Sequence, residues 1–474
     1  MSVLHDLTAL EQAQGIAARE ISSVELTEHY LARTQDHNAK LGSFITVTPE
    51  LALQQAQVAD EIVARTTDLR ELSVLHGVVV PVKDLNFVSG VHCSFGSKVF
   101  GFTPPIDDYV VTRLRQGNTV MTGKTNTPEF GLACYTENQV TNPARNPWDL
   151  DYSAGGSSGG AAAAVAAGLA PVAQGSDGGG SIRIPASVCG LVGLKTSRGR
   201  ISNGPIRDGV GDLGVNGPLA RTVADAAALL DVMSGHFDDD PFVAPPLDAG
   251  ETFLAAARRD PSKLRIGRYC TPVITDCGVD AECMAAYEHA SALLIELGHE
   301  VDDVPAPFTA DLAGAFETVW SSLALLTPVP PEQESELMPL SQWLRARGRE
   351  VTGGELASAA WALRNASRMA INAHRDYDVI LTPALAQTPR LVGQLLNEAE
   401  PAADFEAQKR FTPFTAPYNM TGQPAISVPL HWTAMSMPIG VQLVGRPFAE
   451  VTILSLAGQL ERAQPWAHRR PVIW

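Results

Sequence analysis

Gly155-Gly-Ser-Ser-Gly-Gly160, the alanine-rich run Ala161–Ala167 and then Gln174-Gly-Ser-Asp-Gly-Gly-Gly-Ser181 are the centre from which this 474-residue chain is best read. Alanines favour a helix and let it lie close to a neighbouring element. Glycine clusters lose extra backbone entropy on folding, so two of them about 20 residues apart indicate backbone that must approach something closely. Flexible linkers do not fit, because the clusters flank a strong helix and the apolar strand expected at Leu169–Ala173.

Working outward, His76-Gly-Val-Val-Val-Pro-Val-Lys83 is a β-branched run ending at a lysine, and Thr119-Val-Met-Thr-Gly-Lys124 is a second short strand. Alternation of such strands with helical sequence predicts an α/β core. Residues 1–70 read as a helical arm, with Ser22 and Ser23 capping a segment whose Val24, Leu26, Tyr30 and Leu31 share a face. Residues 71–240 then form a core containing both glycine clusters. Asp238-Asp-Asp-Pro-Phe-Val-Ala-Pro-Pro246 marks a boundary that neither a helix nor a central strand can cross. Beyond it, 241–375 reads as mostly helical, with a strand at Lys263–Gly267, a helix at Cys283–Leu297 and further helices from Asp311 to Arg364. Residues 376–474 return to strands at Val379–Thr382, Ala425–Val428 and Pro438–Val444, all within one expected domain.

Acidic residues outnumber basic ones, 52 to 35, for a net charge of −17. That balance repels phosphate backbones and anionic membranes, so no nucleic-acid or membrane partner is expected. A hydrophobic content of 45% with 18% charged residues is that of an ordinary globular protein. No leader-like N-terminal pattern and no run of ~18 apolar residues is present. The six cysteines form neither a C-x-x-C pair nor a metal-ligand spacing with histidine. A cytoplasmic protein with reduced thiols and no metal is the expectation. Lysines number only seven, and Lys83, placed in an apolar strand, is the one that needs explaining.

Three chemistries compete for the glycine-rich centre. Gly155-Gly-Ser157-Ser-Gly159 fits a G-x-S-x-G nucleophile elbow, but Trp148–Ala154 before it is poor strand sequence and no later histidine is marked as a base. Gly123-Lys124-Thr125 resembles the end of a Walker A loop, yet Asn118 stands where that motif needs glycine. The third reading joins Lys83, Ser157 and Ser181. A serine is a poor nucleophile until a base takes its proton, and lysine can be that base only when neutral, a form that burial in an apolar strand favours. Gly178-Gly-Gly-Ser181 offers consecutive backbone N–H groups for an oxyanion. The same residues also fit a Lys83–Asp84 ion pair and a helix cap at Ser181.

At these positions the sequence resembles the amidase signature family. Gly77-Val-Val-Val-Pro-Val-Lys83-Asp84 is similar to that family's lysine strand, and Gly123-Lys-Thr-Asn-Thr-Pro-Glu-Phe130 to its following motif. The two glycine clusters, extended to Ile182-Arg-Ile-Pro185, resemble the signature itself, followed by Cys189-Gly-Leu-Val-Gly-Leu-Lys195. Similar motifs continue at Gly217–Asp225, Leu381-Thr-Pro383, Asn419–Pro429 and Gly440–Gly445. Arg145-Asn-Pro-Trp148, Pro185–Cys189 and Ser197–Ser202 point in particular to bacterial members of the nylon-oligomer hydrolase and aryl-amidase kind.

The resemblance implies a large, mixed, twisted β-sheet covered by helices on both faces, and a serine amidohydrolase without cofactor. It makes Ser181 the nucleophile, Ser157 a relay serine reached through a cis peptide after Gly156, and Lys83 the base. Backbone N–H groups of Gly178, Gly179, Gly180 and Ser181 would hold the oxyanion, with Asp177, Arg183, Gly156 and Ser158 supporting that loop. Substrates would be small carboxylic amides, esters or carbamates. Phe316, Trp320 and Trp343 in the divergent stretch, with Phe130 and Cys134, are pocket candidates that read equally well as core packing. Gly178 stands where the family often has threonine or a larger residue, which predicts room for bulky acyl groups; Ala154 and Ala161 are further departures. A glutaminase subunit of a tRNA-dependent amidotransferase and a non-catalytic binding protein on the same scaffold are the alternatives. Apolar helices in the N-terminal arm would permit a homodimer.

Overall fold

The computed structural model describes residues 3–206, 211–308 and 312–474. An eight-stranded mixed sheet runs in the order Glu300–Asp303, Arg265–Arg268, Val379–Pro383, Pro438–Gly445, Ala425–Trp432, Val192–Lys195, Val215–Ala220, Val172–Asp177. The first three strands are parallel to one another, and every other pairing is antiparallel. Val192–Lys195, Val215–Ala220, Val379–Pro383 and Pro438–Gly445 are buried along their whole length. Strands without a polar face belong to a sheet covered on both sides. Helices Arg183–Cys189, Val223–Met233, Ala281–Glu296 and Glu450–Ala463 pack against these strands.

A smaller sheet, ordered Phe44–Val47, Gly123–Thr125, Val82–Lys83, carries the buried lysine. It is stitched to the edge of the large sheet: Gln174 N–H donates to Pro81 O at 3.1 Å, and Lys83 N–H donates to Gln174 Oε1 at 2.9 Å. The alanine-rich segment forms the helix Gly159–Ala166, every residue of it buried. Gly160 is required there, since a Cβ would lie 2.3 Å from Asn126 N and 2.4 Å from Ser43 O.

Several expectations move. Phe44–Val47, inside the arm read as helical, is a strand, because its β-branched run pairs with Gly123–Thr125. The strand expected at Leu169–Ala173 is instead Val172–Asp177. Pro171 has no N–H for a ladder, and the polar Gln174, Ser176 and Asp177 beyond it are accommodated by specific hydrogen bonds. Asp149–Ser153, judged poor strand sequence, forms a two-stranded ribbon with Arg145–Asn146, in which Asp151 is exposed and Ser153 buried. Ser22 caps the helix Ser23–Leu41 through Glu25 N–H, burying Leu26 and Tyr30. Asp311 lies outside the described residues; from Leu312 onward the segment is helical over Leu312–Leu323, Pro339–Glu350 and Gly353–Ala373.

Candidate active site

The first glycine cluster leads from the ribbon strand Asp149–Ser153 into the buried helix, and the second leads from the edge strand Val172–Asp177 into the helix Arg183–Cys189. Both turns face the end of the lysine strand. Lys83 is fully buried, and its Nζ lies 2.7 Å from Ser157 Oγ, 3.1 Å from Ser176 Oγ and 3.3 Å from Ser176 O. The Gly156–Ser157 peptide is cis. Ser158 N–H donates to Ser181 O at 3.1 Å, and Ser158 Oγ donates to Ser176 O at 3.1 Å. These bonds fasten the Ser157 turn to the Ser181 turn. Asp84, weighed as a partner for Lys83, bonds Lys124 Nζ at 2.9 Å.

The Ser181 turn is shaped by one carboxylate. Asp177 Oδ1 accepts from Gly180 N–H at 2.7 Å, and Oδ2 from Ile182 N–H at 3.1 Å. Arg183 grips both oxygens, through Nε at 3.0 Å and Nη2 at 2.9 Å. The guanidinium is held in turn by Thr415 O, Gln442 Oε1 and Asn419 Oδ1. Burial works against the Asp177 charge, yet Arg183 and Asn419 hold its carboxyl well below the usual carboxylate range. Asp177, Arg183, Thr415, Gln442 and Asn419 therefore form one buried polar unit behind the turn, of which the last three were not foreseen. Asn419 sits inside a quoted motif, the one available signal for it.

Gly180 departs from its expected part. Its N–H donates to Asp177 Oδ1, and of the turn it is Gly179 and Ser181 that line the adjacent pocket. Its φ of 134° and the 2.3 Å separation between a would-be Cβ and Thr415 Oγ1 admit only glycine.

A pocket of about 490 Å³, counting its open mouth, lies over this turn. Ser181, Gly179 and Ile184 form its floor, and its walls are Leu132, Ala133, Cys134, Ile274, Phe316, Trp320, Phe405, Gln408, Lys409, Thr412 and Ala416. Cys134, Phe316 and Trp320 thus line it, as anticipated. Phe316 and Trp320 stack with ring centroids 5.4 Å apart, and a Cβ on Gly178 would sit 3.5 Å from the Trp320 ring. Phe130 and Trp343 do not line it. Phe130 packs edge-on to Phe100, and Trp343 lies behind Phe405 with centroids 5.6 Å apart. Burial pushes the Cys134 thiol well above its ordinary value, which makes it an inert wall. The wall from Phe405 to Ala416 was not anticipated, because nothing in its local sequence distinguishes it from any amphipathic helix.

Among the described residues no cluster of His, Cys, Asp or Glu side chains is suited to a metal, and no helix is long and apolar enough to cross a membrane.

Residues 25–454 match the family model described as Amidase. The sequence is 37% identical to the 6-aminohexanoate-cyclic-dimer hydrolase of Paenarthrobacter ureafaciens, over 98% of this chain and 96% of that one. It is 34% identical to the acylamidase of Rhodococcus erythropolis, over 99% and 98% of the two chains. A solved structure of 6-aminohexanoate cyclic dimer hydrolase complexed with substrate superposes with a TM-score of 0.90 at 34% identity, covering both chains completely.

Proposed function

This chain belongs to the amidase signature family and is a hydrolase of amide bonds, and from that premise we propose that it works through an acyl-enzyme on Ser181, with Ser157 as proton relay and Lys83 as base. The observation that carries this reading is the 2.7 Å contact between Lys83 Nζ and Ser157 Oγ, both buried. A neutral Lys83 amine can donate to Ser176 O while its lone pair takes the Ser157 proton. Ser157 in turn takes the proton of Ser181, whose oxygen attacks the substrate carbonyl. Gly178, Gly179 and Ser181 N–H groups then face the developing oxyanion. An amide nitrogen leaves readily only once protonated, so the relay returns a proton to it. Water resolves the acyl-enzyme along the same path in reverse, regenerating the serine and releasing the acid.

The pocket suits small amides with an apolar or aromatic body, including aryl amides and amide oligomers, and the same chemistry extends to esters and carbamates. The six free thiols support a cytoplasmic setting. A homodimer through the N-terminal arm remains part of the proposal, and sedimentation equilibrium tests it. The function itself is tested by a panel of p-nitroanilides, primary amides, glutamine, esters and aryl carbamates, run beside Ser181→Ala. Expected is turnover of anilides that Ser181→Ala lowers by at least about 1,000-fold. Ammonia release from glutamine alone, or turnover indifferent to Ser181→Ala, would sink it.

A further inference from the structure

We propose that Lys409 is a specificity-determining residue that receives an oxygen acceptor, a carboxylate or a second amide carbonyl, at the end of the substrate remote from the scissile bond. The inference rests on the acyl-enzyme reading above.

Of the described residues lining the pocket, Lys409 alone carries a charge, in a protein whose net charge is −17. It stands near the end of the helix Pro401–Phe411, flanked on the same wall by Gln408 and Thr412. The stacked rings of Phe316 and Trp320 line the same cavity. The cavity is therefore two-faced, with an apolar wall beside Ser181 and a polar corner holding one cation.

Lys409 Nζ lies 2.7 Å from Glu317 Oε1 and 2.5 Å from Glu406 Oε2. Partial burial works against its charge, but these carboxylates outweigh that and keep the ammonium protonated. An ammonium has three N–H donors, and two carboxylates engage two of them. Arg347 at 3.6 Å from Glu317 and Arg410 at 3.9 Å from Glu406 offset the two negative charges. Counting these five groups, the corner is left net positive by one charge. With a side chain only 16% exposed, Lys409 lines the pocket with one N–H donor more than the two carboxylates take, under weak solvent screening. Such a corner favours an acceptor over an alkyl end and over a second cation.

The test uses three matched series of p-nitroanilides of equal chain length, with the acyl chain ending in methyl, primary carboxamide or carboxylate, the spacer varied from two to six methylenes. On the wild-type protein, kcat/KM is expected to favour the carboxamide or carboxylate series over methyl by roughly 10-fold or more at one optimal length. Which of the two leads identifies the source of the acceptor. Lys409→Met is expected to abolish that preference, lowering the carboxamide and carboxylate series by about 10-fold more than the methyl series; Lys409→Arg is expected to retain part of it. Ser181-dependent turnover with no terminal preference at any length overturns the inference by wild-type data alone, whether or not the variants fold. Equal losses across all three series in Lys409→Met also overturn it, since they would make Lys409 only a strut between the two helices. Absence of Ser181-dependent turnover in every series would instead remove the parent reading.

Discussion

Replacing Asp177 by asparagine should loosen the fold and disable the site at once, and the two effects are separable. Asp177 and Arg183 are both fully buried. Asparagine keeps one acceptor oxygen, but it turns an N–H₂ toward donors that now meet a carboxylate: Ile182 N–H at 3.1 Å and Arg183 Nε at 3.0 Å. The guanidinium would keep Thr415 O, Gln442 and Asn419 but lose its counter-charge. Breaking one partner of a buried ion pair costs about 3 to 5 kcal/mol. With an unfolding entropy near 2.1 cal/mol/K per residue, a chain of this length has ~1 kcal/mol/K, so the melting temperature should fall by about 3 to 5 °C. The retained oxygen can still accept from Gly180 N–H, but repulsion of the carboxamide by Ile182 N–H and Arg183 Nε shifts that acceptor and misplaces the amides beside Gly180, lowering kcat by about 100-fold with KM little changed. Calorimetry and steady-state kinetics on a p-nitroanilide read the two effects. The paired variant Asp177→Leu with Arg183→Met should recover stability, because no charge is left buried, but not kcat. The sign with pH is fixed by the lowered Asp177 carboxyl: its stabilisation is complete above the ordinary value of 3.8 and disappears as pH falls below it, a limb that Asp177→Asn should lack. Wild-type kcat in Asp177→Asn with a melting temperature within 1 °C, on the order of the measurement error for a ~1 kcal/mol effect, would refute the assignment of Asp177 as the anchor of the turn.

Gly178→Thr should narrow the pocket from the Trp320 side, because its Cβ begins 3.5 Å from that ring and its γ atoms must displace it. kcat/KM for bulky aryl acyl groups is expected to fall about 10-fold or more relative to acetyl, and proportionate loss for large and small acyl groups would contradict this. Lys83→Met should leave the fold intact, since it replaces a buried side chain by an apolar one of similar length, and lower turnover at least about 1,000-fold without raising KM; circular dichroism with single-turnover kinetics checks both parts. Burial pushes the Glu461 carboxyl up to about 7, with Oε1 lacking a partner among the described residues and Oε2 accepting from Val223 N–H at 2.9 Å. The folded state thus holds this proton more tightly than the unfolded chain does, so its contribution is greatest below about 4.5 and is lost as pH rises through 7. Glu461→Gln should flatten that slope and raise the melting temperature at pH 8, and an unchanged slope would count against it.

The α/β class was legible because its signals are local. β-branched runs broken by proline and glycine mark Val82–Lys83, Val379–Pro383 and Pro438–Gly445 as strands without any knowledge of their partners. The contact of Lys83 with Ser157 was foreshadowed in the same way, by a cation placed where its charge is costly and a serine placed where glycines clear the backbone. What stayed hidden is what long-range packing decides. Ile274 and the wall Phe405–Ala416 reach the pocket only because the chain returns there long after Ser181, for the Phe405–Ala416 wall more than 200 residues later. Trp343 looks no different from Trp320 in sequence, and only the helix crossing places one ring over Gly178 and the other behind Phe405. Gly180 is an intermediate case. Three successive glycines look equivalent, but a carboxylate three residues before the last of them can fold back onto its N–H, as Asp177 does.

The scarcity of lysine sharpens why Lys83, and not another lysine, is proposed as the base. Lys83, Lys124 and Lys195 are all fully buried, and the first two sit on neighbouring parallel strands, Lys83 opposite Thr125 and Lys124 opposite Val82. Burial therefore does not single out Lys83. Lys124 has Asp84 at 2.9 Å and the Asn86 carbonyl at 2.8 Å, neither of them a hydroxyl. Lys195 is a further case: burial, reinforced by Arg183, drives it well below its ordinary value, yet its Nζ bonds the Thr196 carbonyl, which has no proton to give. Only Lys83 faces hydroxyls, those of Ser157 and Ser176. A general base needs both a disfavoured ammonium and an O–H within reach. The burial of Lys83 in a strand is legible in sequence, whereas the hydroxyls within its reach come from two glycine turns converging on one strand end, which only the tertiary structure supplies.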